Sequence, residues 1–426
     1  MNQTHHTRPT SISTLLKVGL LANAFEWYEF SVFGYLSAVI GKLFFQSDQP
    51  ITELLQVFTL FATSYFVRPI GSIFFGRLGD QRGRRYSLKL SLILMTVPTI
   101  FIGLLPTYNQ TGLLATCLLV ALRMIQGFAM GGELPTTACY VFESAPSRYK
   151  SVLCSTVGIA AKLGLLLGSF TTYLLMQSFD EATLLSWGWR IPFWLGMPLT
   201  LFIAYIRNGI EETPVFEKIN PSTVQKHVAW PQLLPRLVQA ISLCIFLNVG
   251  FPILTIWMPF YLNHFLNIPL NTATLINTLT LLVMIIACLG IGYISQYKGY
   301  KALFIIGLFL TFLLVTPIFK GFQLYPDFKT LLGLQCIFAL LVSLSQGTFV
   351  GMINDLFKPE MRSLGVSLAF ILPAAFIGGT VPLICSYVIH KTGWLLFPAI
   401  YIMLSSVIAL PAALKLTDPQ PIHPTR

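Results

Sequence analysis

The sequence predicts an all-α membrane protein, with twelve transmembrane helices in two pseudo-symmetric six-helix bundles. Three observations predict it. Of 426 residues, 55% are hydrophobic and only 10% charged, against about 25% charged in a typical soluble domain. The apolar residues fall in unbroken runs of the ~20 residues a bilayer-crossing helix needs, not in the short alternating strands of a membrane barrel. The basic residues collect in short loops on one side of those runs. A mean hydropathy of +0.73 argues against a soluble globular enzyme, and 13% aromatic residues argue against intrinsic disorder.

The first run, 14–40, follows a polar N-terminus and carries Glu26 and Glu29. No A-x-A-like site follows a short apolar core, so a cleaved signal peptide is not expected. Runs 52–77, 86–106, 112–136, 150–176 and 186–207 complete the first bundle. The longest hydrophilic stretch, 208–234, holds Glu211, Glu212, Glu217, Pro214, Pro221 and Pro231 and reads as a cytoplasmic linker. Runs 235–262, 271–295, 301–319, 330–352, 361–389 and 392–415 form the second bundle, the last two parted only by His390 and Lys391. The expected domains are therefore 1–207 and 235–426, joined by 208–234.

With both termini placed in the cytoplasm, 19 of the 27 Lys and Arg residues fall inside. Five fall outside (Lys42, Arg190, Lys320, Lys329 and Lys391), and Arg68, Arg123 and Lys162 lie within spans. This asymmetry supports an even span count with both ends inside, and a bacterial inner membrane is the expected location. It also accounts for the net charge of +11 without a nucleic-acid partner, because no basic face or reading motif is present. The seven cysteines all sit in apolar runs with no CxxC. An odd count and no metal spacing predict neither a disulfide framework nor a metal site.

The two halves echo one another. Gly76-Arg-Leu-Gly-Asp80-Gln-Arg-Gly83-Arg84-Arg85 follows the second run, and Gly292-Tyr-Ile-Ser-Gln296-Tyr-Lys-Gly299-Tyr-Lys301 follows the eighth, 216 residues later. Glu143-Ser-Ala-Pro146-Ser-Arg148 follows the fourth run and Asp355-Leu-Phe-Lys-Pro359-Glu-Met-Arg362 the tenth. Parallel six-helix repeats are a transporter architecture. The first of these loops resembles the signature loop of the major facilitator superfamily, with Gln81 where that family usually has a base. Further segments narrow the likeness: Asn23-Ala-Phe-Glu26-Trp27-Tyr28-Glu29-Phe30, Arg68-Pro69-Ile-Gly71, Arg123-Met-Ile-Gln126-Gly127-Phe-Ala-Met-Gly131-Gly132-Glu133 and Gly378-Gly379-Thr380-Val-Pro382. Together they resemble the metabolite:proton symporter branch, whose members carry proline and betaine, 2-oxoglutarate, citrate, shikimate and related acids. The resemblance implies a secondary transporter driven by the proton gradient, without a cofactor, and active as a monomer.

Ionisable residues at bilayer depth cost roughly 2.5–3.5 kcal/mol each and mark pathways or pairs. Glu26, Glu29, Arg68, Arg123, Glu133 and Lys162 all belong to the first half. Glu26 and Glu29, three apart, share a helix face and are the expected proton carriers. Arg123 and Lys162 are expected to meet the substrate, with Gln126, Tyr28, Asn248 and Trp257 alongside. Gln335 and Gln346 are further polar candidates for the opposing wall. Lys162 has a second reading, as the neutralising partner of Glu26. Arg68, Gly76, Asp80, Gly83, Arg84, Arg85, Glu133, Glu143, Arg148 and Arg362 are assigned to gating or to the structural charge network.

The leading expectation is proton-coupled uptake of a small organic anion, a mono-, di- or tricarboxylate, by alternating access. The alternatives are symport of a zwitterion of the betaine or proline type, transport or efflux of a larger polycarboxylate such as a citrate-type siderophore, and a transport-dead receptor. The short tail after the last run has no heptads, which weighs against the coiled coil expected of an osmosensing relative. An enzyme is not expected, because no nucleophile–base pair or metal cluster occurs at helical spacing.

Overall fold

The computed structural model describes residues 20–21, 23–45, 50–82, 84–144, 146, 150–208, 230–357 and 362–417. These residues are almost wholly helical and include no strand. Twelve membrane runs follow in order. They are α1 (Asn23–Tyr35, resuming after Leu36 as Ser37–Phe44), α2 (Pro50–Arg82), α3 (Arg84–Leu104), α4 (Leu113–Ser144), α5 (Lys150–Ser178) and α6 (Ile191–Asn208). The second half has α7 (Trp230–Pro252, continued to Phe265), α8 (Leu270–Lys298), α9 (Lys301–Leu324), α10 (Phe328–Gln346, resuming as Phe349–Asp355), α11 (Arg362–Pro373, resuming as Val381–Thr392) and α12 (Phe397–Leu414). Ten of the twelve are long and apolar enough by themselves to cross a membrane. The other two are α1, broken at Leu36, and α6, whose 18 residues end in Arg207 and Asn208.

Several boundaries move from their expected places. The sixth helix begins at Ile191 rather than 186. A separate short helix, Glu181–Ser186, precedes it, with the Asp180 side chain accepting from the Thr183 backbone N–H. Arg190 then donates to the carbonyls of Gly103 and Leu105 at 2.9 and 2.7 Å, tying this corner to the end of α3. The division between α11 and α12 falls after Thr392 rather than at His390 and Lys391, because Gly393 takes a φ of +69° and ends the helix. Glycine alone adopts that conformation at no steric cost. The signature loop is itself mostly helical, running to Arg82 and resuming at Arg84.

In the first half α2 packs on α4, α1 on α5, and α3 on both α4 and α6; in the second, α8 and α9 pack on α10, and α7 packs on α11 and α12. Pairings also cross between the halves: α5 with α8 and α10, α2 and α4 with α11, and α1 with α7. Close helix approach depends on small residues. A side-chain carbon at Gly131 of α4 would stand 2.1 Å from the Arg68 carbonyl of α2, and one at Gly164 of α5 would stand 2.1 Å from the Ala24 carbonyl of α1. One continuous aromatic and aliphatic core runs from Phe30, Phe33 and Phe61 to Trp257 and Phe260. Large apolar side chains such as Ile73, Ile93, Leu113, Phe309 and Leu404 face outward, as a lipid-facing surface requires.

Candidate functional site

A cavity of about 100 Å³ lies between the halves, walled by α1, α2, α4 and α5 on one side and α7, α10 and α11 on the other. Its charged lining residues are Glu26, Arg68 and Lys162. Asn248 and Gln346 add neutral polar groups, and Trp27, Tyr65 and Phe251 add aromatic faces. Two of the walls are irregular helix. Beyond Pro252, α7 passes through π-helical turns at Ile253–Trp257 and Tyr261–Phe265, and α11 does the same at Ala374–Gly378 after Pro373. A proline removes the N–H that the preceding turn would use, and π turns of this kind recur at functional sites.

Glu26 lines the cavity and Arg68 is its electrostatic neighbour. The Arg68 guanidinium lies 3.5 Å from the Tyr65 ring centroid and 4.9 Å from that of Phe30, and it donates to the Met130 sulfur at 3.3 Å. Lys162 is 1% exposed. Its ammonium donates to the Gly158 carbonyl at 3.0 Å and to Gln346 Oε1 at 3.4 Å, and it sits 5.2 Å from the Phe251 ring centroid. Lys162 makes no ion pair with Glu26; the Lys42–Glu181 pair is the salt bridge seen among the described residues.

Four of the expected substrate contacts do not line this cavity. Arg123 is buried two turns from Met130, donating to Gln126 Oε1 at 3.0 Å with its guanidinium over Phe33 and Phe30. Gln126 in turn donates to Thr99 at 2.6 Å. Tyr28 donates to the Pro192 carbonyl at 2.9 Å, and Trp257 donates to Ser386 at 2.9 Å with no exposed surface. Gln126, Tyr28 and Trp257 each donate to a neighbouring helix, while Arg123 donates within α4 itself. Lys162 and Asn248 are the two expected contacts that reach the cavity. Glu29 also turns away, with Thr99 and Arg123 as its polar neighbours and Gly196 of α6 behind it. Three residues of helix rotate a side chain by about 300°, so Glu26 and Glu29 diverge by about 60°, enough to separate cavity from bundle interior.

Glu133 accepts from Ser91 at 2.5 Å, which ties α4 to α3. Arg85 is exposed. Gly83 and Arg148, the linker residues 209–229, and the side chains of Gly76, Asp80, Arg84, Glu143 and Arg362 lie outside the described residues. Gln335 is fully buried and donates to Asn277 at 3.4 Å, away from the cavity. Trp27, Tyr65 and Phe251 were not picked out by sequence reasoning. In a chain with 34 Phe and 16 Tyr residues, no spacing signal separates a cavity aromatic from a core one.

Chain order gives the path beyond the cavity. On α1, Glu26 at the cavity leads to Gly34 and Tyr35, then to Lys42. On α7, Phe251 leads to Ile256, then to Asn263 and His264. Lys42, Glu53, Glu181 and His264 line a wider vestibule of about 520 Å³ at that far end. Between vestibule and cavity lies a buried polar cluster. Tyr35 donates to the Thr255 carbonyl at 2.7 Å; Asn277 donates to Tyr35 at 3.1 Å and to Ser169 at 3.3 Å; and Ser169 meets Thr278 at 2.8 Å. The cluster joins α1 and α5 of the first half to α7 and α8 of the second. A layer of this kind closes the cavity at its Lys42 end.

Comparison with known proteins places this architecture. The model of the family described as "Sugar (and other) transporter" matches residues 17–221. The chain is 31% identical over 407 residues to the glycine betaine/proline/ectoine/pipecolic acid transporter OusA of Dickeya dadantii (strain 3937), covering 92% of this chain and 80% of that one. It is 32% identical over 405 residues to a putative proline/betaine transporter of Staphylococcus haemolyticus (strain JCSC1435), covering 94% and 86%. The chain belongs to the major facilitator superfamily, in its metabolite:proton symporter branch. Among solved structures of the superfamily, the proton:xylose symporter XylE bound to 6-bromo-6-deoxy-D-glucose matches with a TM-score of 0.77 at 18% identity, over 95% of this chain and 94% of that one. At that identity the likeness speaks to fold. The facilitator described above is thus a multi-pass membrane transporter and not an enzyme.

Proposed function

We propose that this facilitator couples proton movement to the transport of a small zwitterion, a carboxylate bearing a quaternary or secondary ammonium of the betaine or proline class. The observation that carries this reading is that one cavity presents charges of both signs, Glu26 on α1 beside Arg68 on α2, and Lys162 on α5. A zwitterion complements charges of both signs, and a simple anion complements only the basic ones. The aromatic faces of Trp27, Tyr65 and Phe251 support it, because aromatic rings attract quaternary ammonium groups. The names of the relatives point the same way. The organic-anion expectation therefore yields to the zwitterion.

In this reading Glu26 is the exchangeable carboxyl, because it alone of the two glutamates reaches the cavity. Glu29 and Arg123 lie behind it as electrostatic neighbours. The halves 1–207 and 235–426 rock about the cavity, joined by the cytoplasmic linker, with the vestibule opening outward. The chain sits in the inner membrane with both termini inside.

Uptake of radiolabelled glycine betaine and proline into proteoliposomes tests the reading. Accumulation should require an acidic exterior and should resist competition by succinate, 2-oxoglutarate and citrate. Accumulation of one of those acids without that of betaine or proline would return the organic anion to first place.

A further inference from the structure

We propose that Lys162 and Gln346 form one carboxylate-binding fork that spans the two halves of the transporter. The fork rests on the transport reading above and adds to it the residues that hold the negative end of the ligand.

Lys162 stands on α5 of the first half, and Gln346 ends the main segment of α10 in the second. Both line the cavity. A lysine ammonium carries three donors and no acceptor. Two of those donors are taken, by Gly158 O at 3.0 Å and Gln346 Oε1 at 3.4 Å. The third has no protein acceptor among the described residues. Both acceptors are neutral, and no carboxylate of the described residues stands within ion-pair distance of the ammonium.

The lysine also fixes the glutamine. Because an ammonium only donates, Gln346 must present its carbonyl oxygen to Lys162, and its NH₂ group then points the other way. No described residue accepts from that NH₂ group. The result is two sets of unused donors, one cationic and one neutral, side by side on the cavity wall. A carboxylate has two oxygens and accepts from both. It would also supply the counter-charge that a buried cation requires.

The two donors belong to different halves. A carboxylate that needs both is held fully only while the halves are close together at the cavity. The fork therefore recognises the ligand and favours the closed state in one step. The quaternary or secondary ammonium, at the other end of a short zwitterion, is left to Glu26 and the aromatic faces.

The test uses the purified full-length transporter and three probes of nearly equal shape. Glycine betaine carries both charges, 3,3-dimethylbutanoate carries the carboxylate on a neutral carbon isostere, and choline carries the ammonium without a carboxylate. Affinities are measured by equilibrium binding for wild type, Lys162→Met, Gln346→Leu and the double variant. Loss of a charge-assisted hydrogen bond should weaken both carboxylate probes by about 10- to 150-fold in Lys162→Met. Gln346→Leu should weaken both by about 2- to 10-fold, the range for a neutral hydrogen bond. The two losses should not be independent, because Lys162 orients Gln346. Choline affinity should not change in either variant.

Equal affinity of wild type and folded Lys162→Met for the carboxylate probes would overturn the fork. So would a wild-type protein that binds neither carboxylate, or an equal loss for choline. Should Lys162→Met fail to fold, Gln346→Leu decides alone, since it retains the lysine and removes only the neutral arm. Failure of the zwitterion reading looks different: 3,3-dimethylbutanoate would bind as well as betaine, with both still weakened by the substitutions.

Discussion

The hydroxyl of Tyr35 on α1 donates to the backbone carbonyl of Thr255 on α7 at 2.7 Å, across the seam between the two halves. Asn277 of α8 donates to the same hydroxyl at 3.1 Å and to the same carbonyl at 3.2 Å. Thr255 lies in the π-helical turn that follows Pro252. The seal therefore depends on an irregular backbone segment presenting its carbonyl to another helix.

Removing the Tyr35 hydroxyl should loosen this end. A neutral hydrogen bond contributes about 0.5–1.5 kcal/mol, or about 2- to 10-fold in an equilibrium. Ile256, 3% exposed and against Gly34, reports on the opening. In a cysteine-free background, Tyr35→Phe should raise the rate at which an impermeant thiol reagent labels Ile256→Cys from outside by about that factor. An unchanged labelling rate would show that the contact does not hold the seal.

Glu26→Gln should abolish accumulation driven by a pH gradient and spare exchange of substrate across the membrane, because exchange need not release the proton. Counterflow and gradient-driven uptake in the same proteoliposomes separate the two. Accumulation at the wild-type level would move the proton to another group, with Glu29 next to be tested.

Close packing makes Gly131 and Gly164 intolerant of any side chain. An alanine carbon at either would meet a backbone carbonyl at 2.1 Å, and overpacking of this kind costs about 1–3 kcal/mol. Gly131→Ala and Gly164→Ala should each lower the melting temperature of the purified protein. Gly333→Ala on α10 is the control. Nothing lies within 4 Å of its added carbon, and alanine is the better helix former by about 1 kcal/mol, so its melting temperature should hold or rise.

The Lys42–Glu181 pair, 2.6 Å apart at the vestibule, is 51% exposed at Lys42 and 71% exposed at Glu181. The hydrogen bond from Lys42 holds the Glu181 carboxyl below its ordinary range. A depressed carboxyl contributes stability above its unfolded pKa and loses it as the pH falls through the folded one. Exposure keeps that contribution under about 1 kcal/mol. Glu181→Gln should leave the melting temperature near wild type at neutral pH and remove a small acid-side dependence. A large loss at neutral pH would mean that the pair is more than a surface contact.

Span number, helix order and the separation of Glu26, Arg68 and Lys162 from the lipid were legible in the sequence. Burying a charge is costly enough to mark each of them, and hydropathy alone finds runs that cross a bilayer. The sequence also marked Gln346 as a polar residue in an apolar run. Its pairing with Lys162, 184 positions away, was not readable, since no local rule links α5 to α10.

What the sequence determined by itself was therefore the set of helices and the few polar residues they carry. Tertiary structure alone decided which way those residues turn: Glu26, Arg68 and Lys162 into the cavity, Glu29, Arg123, Tyr28 and Trp257 into the bundles. The physical reason is that lipid and protein interior are equally apolar. A soluble helix shows its buried face as an apolar stripe, but a membrane helix is apolar all round. Its rotation is set by packing against neighbours, through contacts such as Gly131 on Arg68 and Gly164 on Ala24.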